Sequence, residues 1–236
     1  MNADPPAVRY PDIETLSRQL AAGIAADLSA AIEARQLASL VVSGGRSPVR
    51  LFECLRTLAI DWSRVCVAQA DERWVDPADP ASNERLIREA LLKDAAAAAR
   101  FTGLKNACAT PDLGAAMAWS TFNGVPRPFD VVVLGMGDDG HTASLFPDSP
   151  NLGEALDEAA PAGCVGTRSP TAPEARLSLN LAALLDSRRI VILITGESKW
   201  RTYIAAVGPG AVERMPVRAV LRQQHAPVEV IWSPGS

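Results

Sequence analysis

The chain has 236 residues, of which 48% are hydrophobic and 21% charged, and its formal net charge at pH 7 is -4. A chain of this length can bury a sizeable core, and the composition is typical of a soluble globular protein. The acidic balance disfavours a nucleic-acid surface, which needs a basic face, and no window approaches the roughly 18 apolar residues of a membrane span. We therefore expect neither nucleic acid nor membrane among its partners.

Two further features favour a cytoplasmic location. Residues 1–6, Met-Asn-Ala-Asp-Pro-Pro, contain no basic segment followed by an apolar one, so no signal peptide is predicted. The four cysteines, Cys54, Cys66, Cys108 and Cys164, are scattered and show no Cys-x-x-Cys spacing. This pattern is typical of reduced thiols and predicts neither a disulfide framework nor a zinc site.

Apolar periodicity predicts helices and strands that alternate along the chain. The predicted helices cover residues 13–34, 48–58, 83–91, 112–122, 198–207 and 217–223, with Ser47, Ser82 or Asn83, and Ser198 as caps. The predicted strands cover residues 37–42, 65–70, 101–104, 131–134, 189–194 and 228–232, and residues 162–179 are expected to be irregular with extended pieces. This alternation favours an α/β fold: one Rossmann-like domain, 1–236, with a mainly parallel sheet and helices on both faces.

The segment from Asp130 to Pro147 carries the strongest functional signal. Its apolar strand stops at Gly135-Met-Gly-Asp-Asp-Gly140 and is followed by His141. Ligands collect at the carboxyl ends of parallel strands, and an imidazole there can accept and return a proton near neutral pH. We expect His141 to be catalytic, with the backbone N–H groups around Gly135 and Gly137 forming a donor nest for an oxyanion.

Three other loops are expected at the same edge of the sheet. Ser43-Gly-Gly-Arg-Ser47 is a glycine-rich turn that suits a phosphate, although it matches neither a nucleotide P-loop nor the Gly-x-Gly-x-x-Gly pattern. Asp71-Glu-Arg73 follows a buried strand, so that Arg73 is placed to hold a phosphate and Asp71 to orient a sugar hydroxyl or the histidine. Lys199 is a second candidate cation, and Arg168 and Arg176 are further candidates.

Taken in order, these loops resemble the 6-phosphogluconolactonase family. The matching blocks are Ser43–Pro48, Asp71–Arg73 with Ser82-Asn83, Gly135–Pro147, Arg176–Leu179 and Gly196–Lys199. The family usually has Arg-Ile/Leu-Thr-Leu-Thr where this chain has Arg176-Leu-Ser-Leu-Asn180. The resemblance implies a fold similar to glucosamine-6-phosphate deaminase and ribose-5-phosphate isomerase relatives. It also implies hydrolysis of 6-phospho-D-glucono-1,5-lactone in the oxidative pentose phosphate pathway, with no cofactor and no metal.

Two alternatives remain open at this stage. A glucosamine-6-phosphate isomerase or deaminase shares the Asp-Gly-His block but carries a Glu five residues after the histidine, where this chain has Phe146. A sugar-phosphate sensor with a degenerate site is the non-enzymatic alternative. No basic helix-turn-helix segment fits the short acidic N-terminus, and His141 and Asp71 are intact, so both features favour an enzyme.

The expected mechanism is general-base hydrolysis of a sugar-phosphate lactone by a monomer or small homo-oligomer. His141 takes a proton from the attacking water and then protonates the departing ring oxygen, while Asp139 or Asp71 orients the imidazole. The predicted catalytic residues are His141, Asp139 and Asp71. The predicted substrate- and phosphate-binding residues are Ser43, Gly44, Gly45, Arg46, Arg73, Gly135, Gly137, Arg176 and Lys199.

Overall fold

The computed structural model describes residues 7–169 and 173–235. The helices of these residues are α1 (Ile13–Arg35), α2 (Val49–Leu55), α3 (Asn83–Ala90), α4 (Pro111–Thr121), α5 (Leu152–Ala155), α6 (Leu181–Leu185), α7 (Glu197–Val207) and α8 (Val217–Arg222). The strands are β1 (Ala7–Arg9), β2 (Ala38–Val42), β3 (Val65–Gln69), β4 (Asp71–Arg73), β5 (Arg100–Thr102), β6 (Val131–Leu134), β7 (Cys164–Arg168), β8 (Ala175–Leu179), β9 (Ile190–Thr195) and β10 (Val228–Ser233). Residues 1–6, for which no signal peptide is predicted, and residues 170–172 of the segment expected to be irregular lie outside the described residues.

Seven strands form one parallel sheet in the order β1-β10-β9-β6-β2-β3-β5. The predicted mainly parallel sheet is therefore confirmed. Because every strand of this sheet points the same way, the loops after β9, β6, β2 and β3 leave its carboxyl edge side by side. No helix in the described part of the chain is long and apolar enough to cross a membrane.

Successive residues of the central strands pack into two separate cores. In β2, Leu40 and Val42 lie in a core with residues of α1, α2 and α3, whereas Val41 lies in a core with residues of α4, α6, α7 and α8. All five residues of β2 are buried, as expected for a strand covered on both faces. The predicted helical layers on both faces of the sheet are confirmed.

A second, antiparallel sheet corrects the interpretation of two segments. Asp71–Arg73 was predicted to be a loop, but it is strand β4 and pairs with β8, so that Asp71 lies opposite Ser178 and Arg73 opposite Arg176. The segment expected to be irregular supplies β7 and β8, which pair with each other. A three-residue charged strand has too short a pattern to be recognised, and its partner is distant in the chain.

Two of the three predicted helix caps are wrong. Ser82 does cap α3, accepting a hydrogen bond from Arg85 N–H at 3.2 Å. The Ser47 hydroxyl instead lies 3.2 Å from the Thr195 hydroxyl, and the Ser198 hydroxyl donates to Asp138 Oδ1 at 2.9 Å. Both serines therefore connect neighbouring loops at the carboxyl edge of the sheet and do not cap their own helices.

The Glu72 carboxylate holds β4 against β3 and the start of α3. Glu72 is 1% exposed. Its two oxygens accept hydrogen bonds of 2.7–3.0 Å from Gln69 Nε2, Arg73 N–H, Ser82 Oγ, Asn83 N–H and Glu84 N–H. A buried carboxylate is stable in the interior only when its oxygens accept hydrogen bonds in this way.

We expect Glu72→Gln to lower the free energy of unfolding by about 1–3 kcal/mol, because the amide turns an NH₂ group toward buried donors. Urea denaturation measures this loss. Glu89→Gln is the matched control, because the Glu89 side chain is 59% exposed and pairs with Arg85 on the surface. An exposed pair of this kind contributes about 0–1 kcal/mol, so similar losses in both variants would contradict the role given to Glu72.

Candidate active site

The four loops of the carboxyl edge enclose a cleft with a volume of about 160 Å³. Ten of the twelve predicted site residues line it: Ser43, Gly44, Gly45, Asp71, Arg73, Gly135, Gly137, His141, Arg176 and Lys199. The lining also includes Asn83, Met136 and Ala143, which were not predicted as site residues. Arg46 and Asp139 lie outside this lining, and Arg168 is exposed at the end of β7.

His141 is held by Asp139, two residues earlier. Asp139 Oδ1 lies 2.6 Å from His141 Nδ1 and accepts the His141 backbone N–H at 3.1 Å. Since an ionised carboxylate only accepts hydrogen bonds, Nδ1 carries a proton and Nε2 is left as the basic nitrogen. Burial raises the pKa of Asp139, but its hydrogen bond to His141 outweighs this and leaves the pKa below its usual value.

Of the two carboxylates expected to orient the imidazole, Asp139 is the one that contacts it in this structure. Asp71 is 5% exposed, and its Oδ2 accepts the Ser144 hydroxyl at 2.7 Å. Asp71 therefore lines the cleft and has a polar partner of its own, and its expected contact with a sugar hydroxyl stays a prediction. Ala143, beside Ser144, has φ 47°, a left-handed conformation that is uncommon for a residue with a side chain.

Gly137 is required by the position of the imidazole. A Cβ at position 137 would overlap His141 Cε1 and Nδ1 and would lie 2.5 Å from Asp139 Oδ1. The Gly137 N–H donates to the His141 carbonyl at 2.9 Å. The predicted donor nest is therefore wrong for Gly137, because its N–H is already used to close the turn that presents His141.

Two arginines meet at the far side of the cleft from β9. Arg73 and Arg176 are directly opposite each other in the β4–β8 pair, where like charges are unfavourable. Arg176 is 9% exposed, and its Nε has no hydrogen-bond partner among the described residues. Burial and then the charge of Arg73 lower the pKa of Arg176. Asp71, Glu174 and Glu72 act in the opposite direction. A buried guanidinium with a donor to spare can bind an anion.

Asn83 fixes the direction of Arg73. Arg73 Nη1 donates to Ala81 O at 2.6 Å and to Asn83 Oδ1 at 3.1 Å, and Asn83 Nδ2 donates to Asp71 O at 3.0 Å. A Cβ at position 44 would overlap Asn83 Oδ1, so only glycine fits beside it. Asn83 thus positions Arg73 beside the glycine turn. Its place at the start of a helix gives no sequence signal for this role.

The glycine turn offers a second group without a partner. The Ser43 hydroxyl oxygen is buried and has no hydrogen-bond partner among the described residues. Buried polar atoms without a partner are rare, and this hydroxyl is able to bond a ligand that enters the cleft. Gly45, two residues on, has φ 95°, which glycine adopts without strain.

Lys199 reaches the cleft from α7, on the side of β9. Its Nζ donates to Met136 O at 2.6 Å. Burial lowers the pKa of Lys199, and Arg46 acts in the same direction. Cations therefore stand at both sides of the cleft, with the His141 loop between them. Among the described residues, no group of three or more His, Cys, Asp or Glu side chains is arranged to hold a metal ion.

Comparison with known proteins identifies the family of the chain. A family model described as Glucosamine-6-phosphate isomerases/6-phosphogluconolactonase matches residues 11–232. A 6-phosphogluconolactonase from Pseudomonas aeruginosa is 45% identical over 218 residues, which cover 92% of this chain and 90% of the relative. A crystal structure of a 6-phosphogluconolactonase from Shewanella baltica is 48% identical and has a TM-score of 0.93. The match covers 97% of this chain and 98% of the Shewanella chain.

A more distant structure tests the fold alone. The structure of a monomeric glucosamine-6-phosphate deaminase of the NagB superfamily is 19% identical and has a TM-score of 0.77, with 96% of each chain covered. The predicted likeness to the deaminase fold is confirmed, and the likeness to ribose-5-phosphate isomerase stays a prediction. The match over 11–232 and the identity to the Pseudomonas protein show that this chain belongs to the glucosamine-6-phosphate isomerase/6-phosphogluconolactonase family.

Proposed function

We propose that this chain hydrolyses 6-phospho-D-glucono-1,5-lactone to 6-phospho-D-gluconate, a step of the oxidative pentose phosphate pathway, with no cofactor. The observation that supports this most directly is the His141–Asp139 pair at a cleft that is also lined by Arg73, Arg176 and Lys199. The names of the Pseudomonas and Shewanella relatives supply the substrate. We also infer a cytoplasmic enzyme, monomeric or a small homo-oligomer, that acts on a small sugar phosphate and binds no nucleic acid.

His141 carries out both proton transfers of the reaction. Nε2 takes a proton from water as the water oxygen bonds to C1 of the lactone, and the carbonyl oxygen becomes an oxyanion. The bond from C1 to the ring oxygen then breaks, and the imidazolium returns the proton to that oxygen, while the new carboxylic acid releases its own proton to solvent. Asp139 stabilises the imidazolium between the two steps because its carboxylate is 2.6 Å from Nδ1.

The phosphate positions the lactone for this attack. Arg73, set beside the glycine turn by Asn83, offers its remaining N–H groups to phosphate oxygens. The Ser43 hydroxyl is a further donor in the glycine turn, and Lys199 lines the cleft from the side of β9. Phosphate is remote from the reacting carbon, so its binding energy mainly orients the substrate.

Phe146 disfavours the deaminase alternative. Phe146 is 4% exposed, and its ring centroid is 4.5 Å from that of His141. The position that holds a carboxylate in the deaminases therefore presents a hydrocarbon surface to the imidazole. Proton transfer between neighbouring carbons needs a further acid or base there, whereas ester hydrolysis by one histidine does not.

We expect His141→Asn and His141→Ala to lower kcat for the lactone by about 10²–10⁴-fold, because general-base catalysis is lost. The assay follows acid release by the purified protein, corrected for spontaneous hydrolysis. His225→Asn is the matched control, since His225 is exposed and pairs with Glu158 at 3.0 Å on the surface. Turnover close to wild type in both His141 variants would remove His141 from the mechanism, and ammonia release from glucosamine 6-phosphate would favour a deaminase.

We expect Gly137→Ala to lower kcat by about 10²-fold while binding of inorganic phosphate is retained. The added methyl displaces the imidazole from Asp139, and a shift of about 1 Å in a catalytic group costs this much. Steady-state kinetics and calorimetric phosphate binding measure the two effects. Gly153→Ala is the control, because a Cβ there meets no atom within 4 Å. Unchanged turnover in Gly137→Ala would show that the imidazole position is not critical.

We expect Arg73→Met to raise KM by about 10–100-fold with a small change in kcat, because charge-assisted hydrogen bonds to the phosphate are lost. Arg88→Met serves as the control, since Arg88 pairs with Glu84 on the surface of α3 and its side chain is 55% exposed. A large loss of kcat with an unchanged KM would refute the assignment of Arg73 to the phosphate.

A further inference from the structure

We propose that Arg176 is a catalytic residue, whose guanidinium stabilises the oxyanion that forms at C1 when water attacks the lactone. This proposal rests on the lactonase function proposed above and separates Arg176 from the phosphate-binding residues. It assigns the two opposed arginines of the β4–β8 pair to opposite ends of the substrate.

The two arginines leave the β4–β8 pair from facing positions but reach different neighbours. Arg73 Nη1 is bonded to Asn83 Oδ1, which touches the glycine turn at Gly44. The Arg176 guanidinium carbon instead lies 5.6 Å from the centroid of the Phe146 ring. The other ring neighbour of Phe146 is His141, with centroids 4.5 Å apart. Arg176 is therefore on the side of the catalytic imidazole, and Arg73 is on the side of the turn.

Arg176 has hydrogen-bonding capacity to give to a ligand. It is nine-tenths buried, lines the cleft, and its Nε is a buried donor without a partner among the described residues. The charges of Asp71, Glu174 and Glu72 favour its charged form, but among those residues Arg176 makes no ion pair with a carboxylate. Asp71, on the paired strand, instead accepts the Ser144 hydroxyl at 2.7 Å. A buried guanidinium with a donor that has no partner in the described part of the chain can stabilise a negative charge that develops beside it.

The chemistry of the step needs a donor of this kind. Attack by the water oxygen turns the C1 carbonyl into an alkoxide before the ring C–O bond breaks, so one full negative charge must be accommodated beside His141. Backbone N–H groups often do this, but the Gly137 N–H is donated to the His141 carbonyl at 2.9 Å. A guanidinium also matches the carboxylate that the reaction leaves at C1, through two parallel hydrogen bonds.

The test compares Arg176→Met with Arg73→Met. For each variant, kcat and KM are measured with the lactone, and the competitive inhibition constant Ki is measured with inorganic phosphate as the probe of the phosphate end. We expect Arg176→Met to lower kcat by about 10²–10³-fold and to leave the phosphate Ki within about threefold of wild type, because removing one oxyanion donor has this effect. Arg73→Met is expected to raise the phosphate Ki with little change in kcat. The proposal would be overturned if Arg176→Met raised KM and the phosphate Ki and left kcat unchanged.

Two measurements keep a structural effect apart from a catalytic one. Thermal unfolding of Arg176→Met is expected at or above the wild-type temperature, because an unpaired buried cation has been replaced by an apolar side chain. Arg176→Lys retains the charge and is expected to recover part of the lost kcat. A lower unfolding temperature with kcat and phosphate Ki impaired together, and no recovery in Arg176→Lys, would show a merely structural role. Wild-type protein without lactonase activity would refute the proposed function, whereas active wild type with an active Arg176→Met refutes only this inference.

Discussion

The site depends on one buried carboxylate. Glu72 is 1% exposed and gathers five hydrogen-bond donors from β3, β4 and the start of α3. Its neighbours on β4 are Asp71 and Arg73, which both face the cleft. Three consecutive charged residues would otherwise be exposed to solvent. The buried hydrogen bonds of Glu72 hold the strand in place, so that Asp71 and Arg73 can contact a ligand.

Around this anchor, the parallel sheet decides which loops can meet. The strand order β9-β6-β2-β3 places the loop with Lys199, the loop with His141, the glycine turn and β4 next to one another at one edge. Side-chain bonds then connect these loops directly, from Ser47 to Thr195 and from Ser198 to Asp138. A catalytic group held by neighbouring loops in this way is restricted before substrate arrives, which reduces the entropy lost on binding.

The sequence predicted most of this fold, because apolar periodicity is a local signal. Val131–Leu134 was predicted with the observed bounds, and the His141 loop and the glycine turn were placed at the correct edge. Strand β4, the partner of Gly137 N–H and the role of Asn83 were not predicted. Each depends on a contact that periodicity does not encode: the pairing of β4 with the distant β8, a backbone bond inside a turn, and a side chain of α3 that contacts β4 and the glycine turn.

The lack of space for a side chain at position 44 is connected, through Asn83, to the position of the Arg73 charge. A Cβ there would overlap Asn83 Oδ1, which is the acceptor that holds Arg73 Nη1 at 3.1 Å. Any larger residue at position 44 therefore requires a smaller or displaced residue at position 83. The Arg73 guanidinium then loses its hydrogen bond to Asn83 Oδ1. Positions 44, 73 and 83 form a unit that must change together, so we expect substitutions in a related enzyme with a different anion to appear in all three at once.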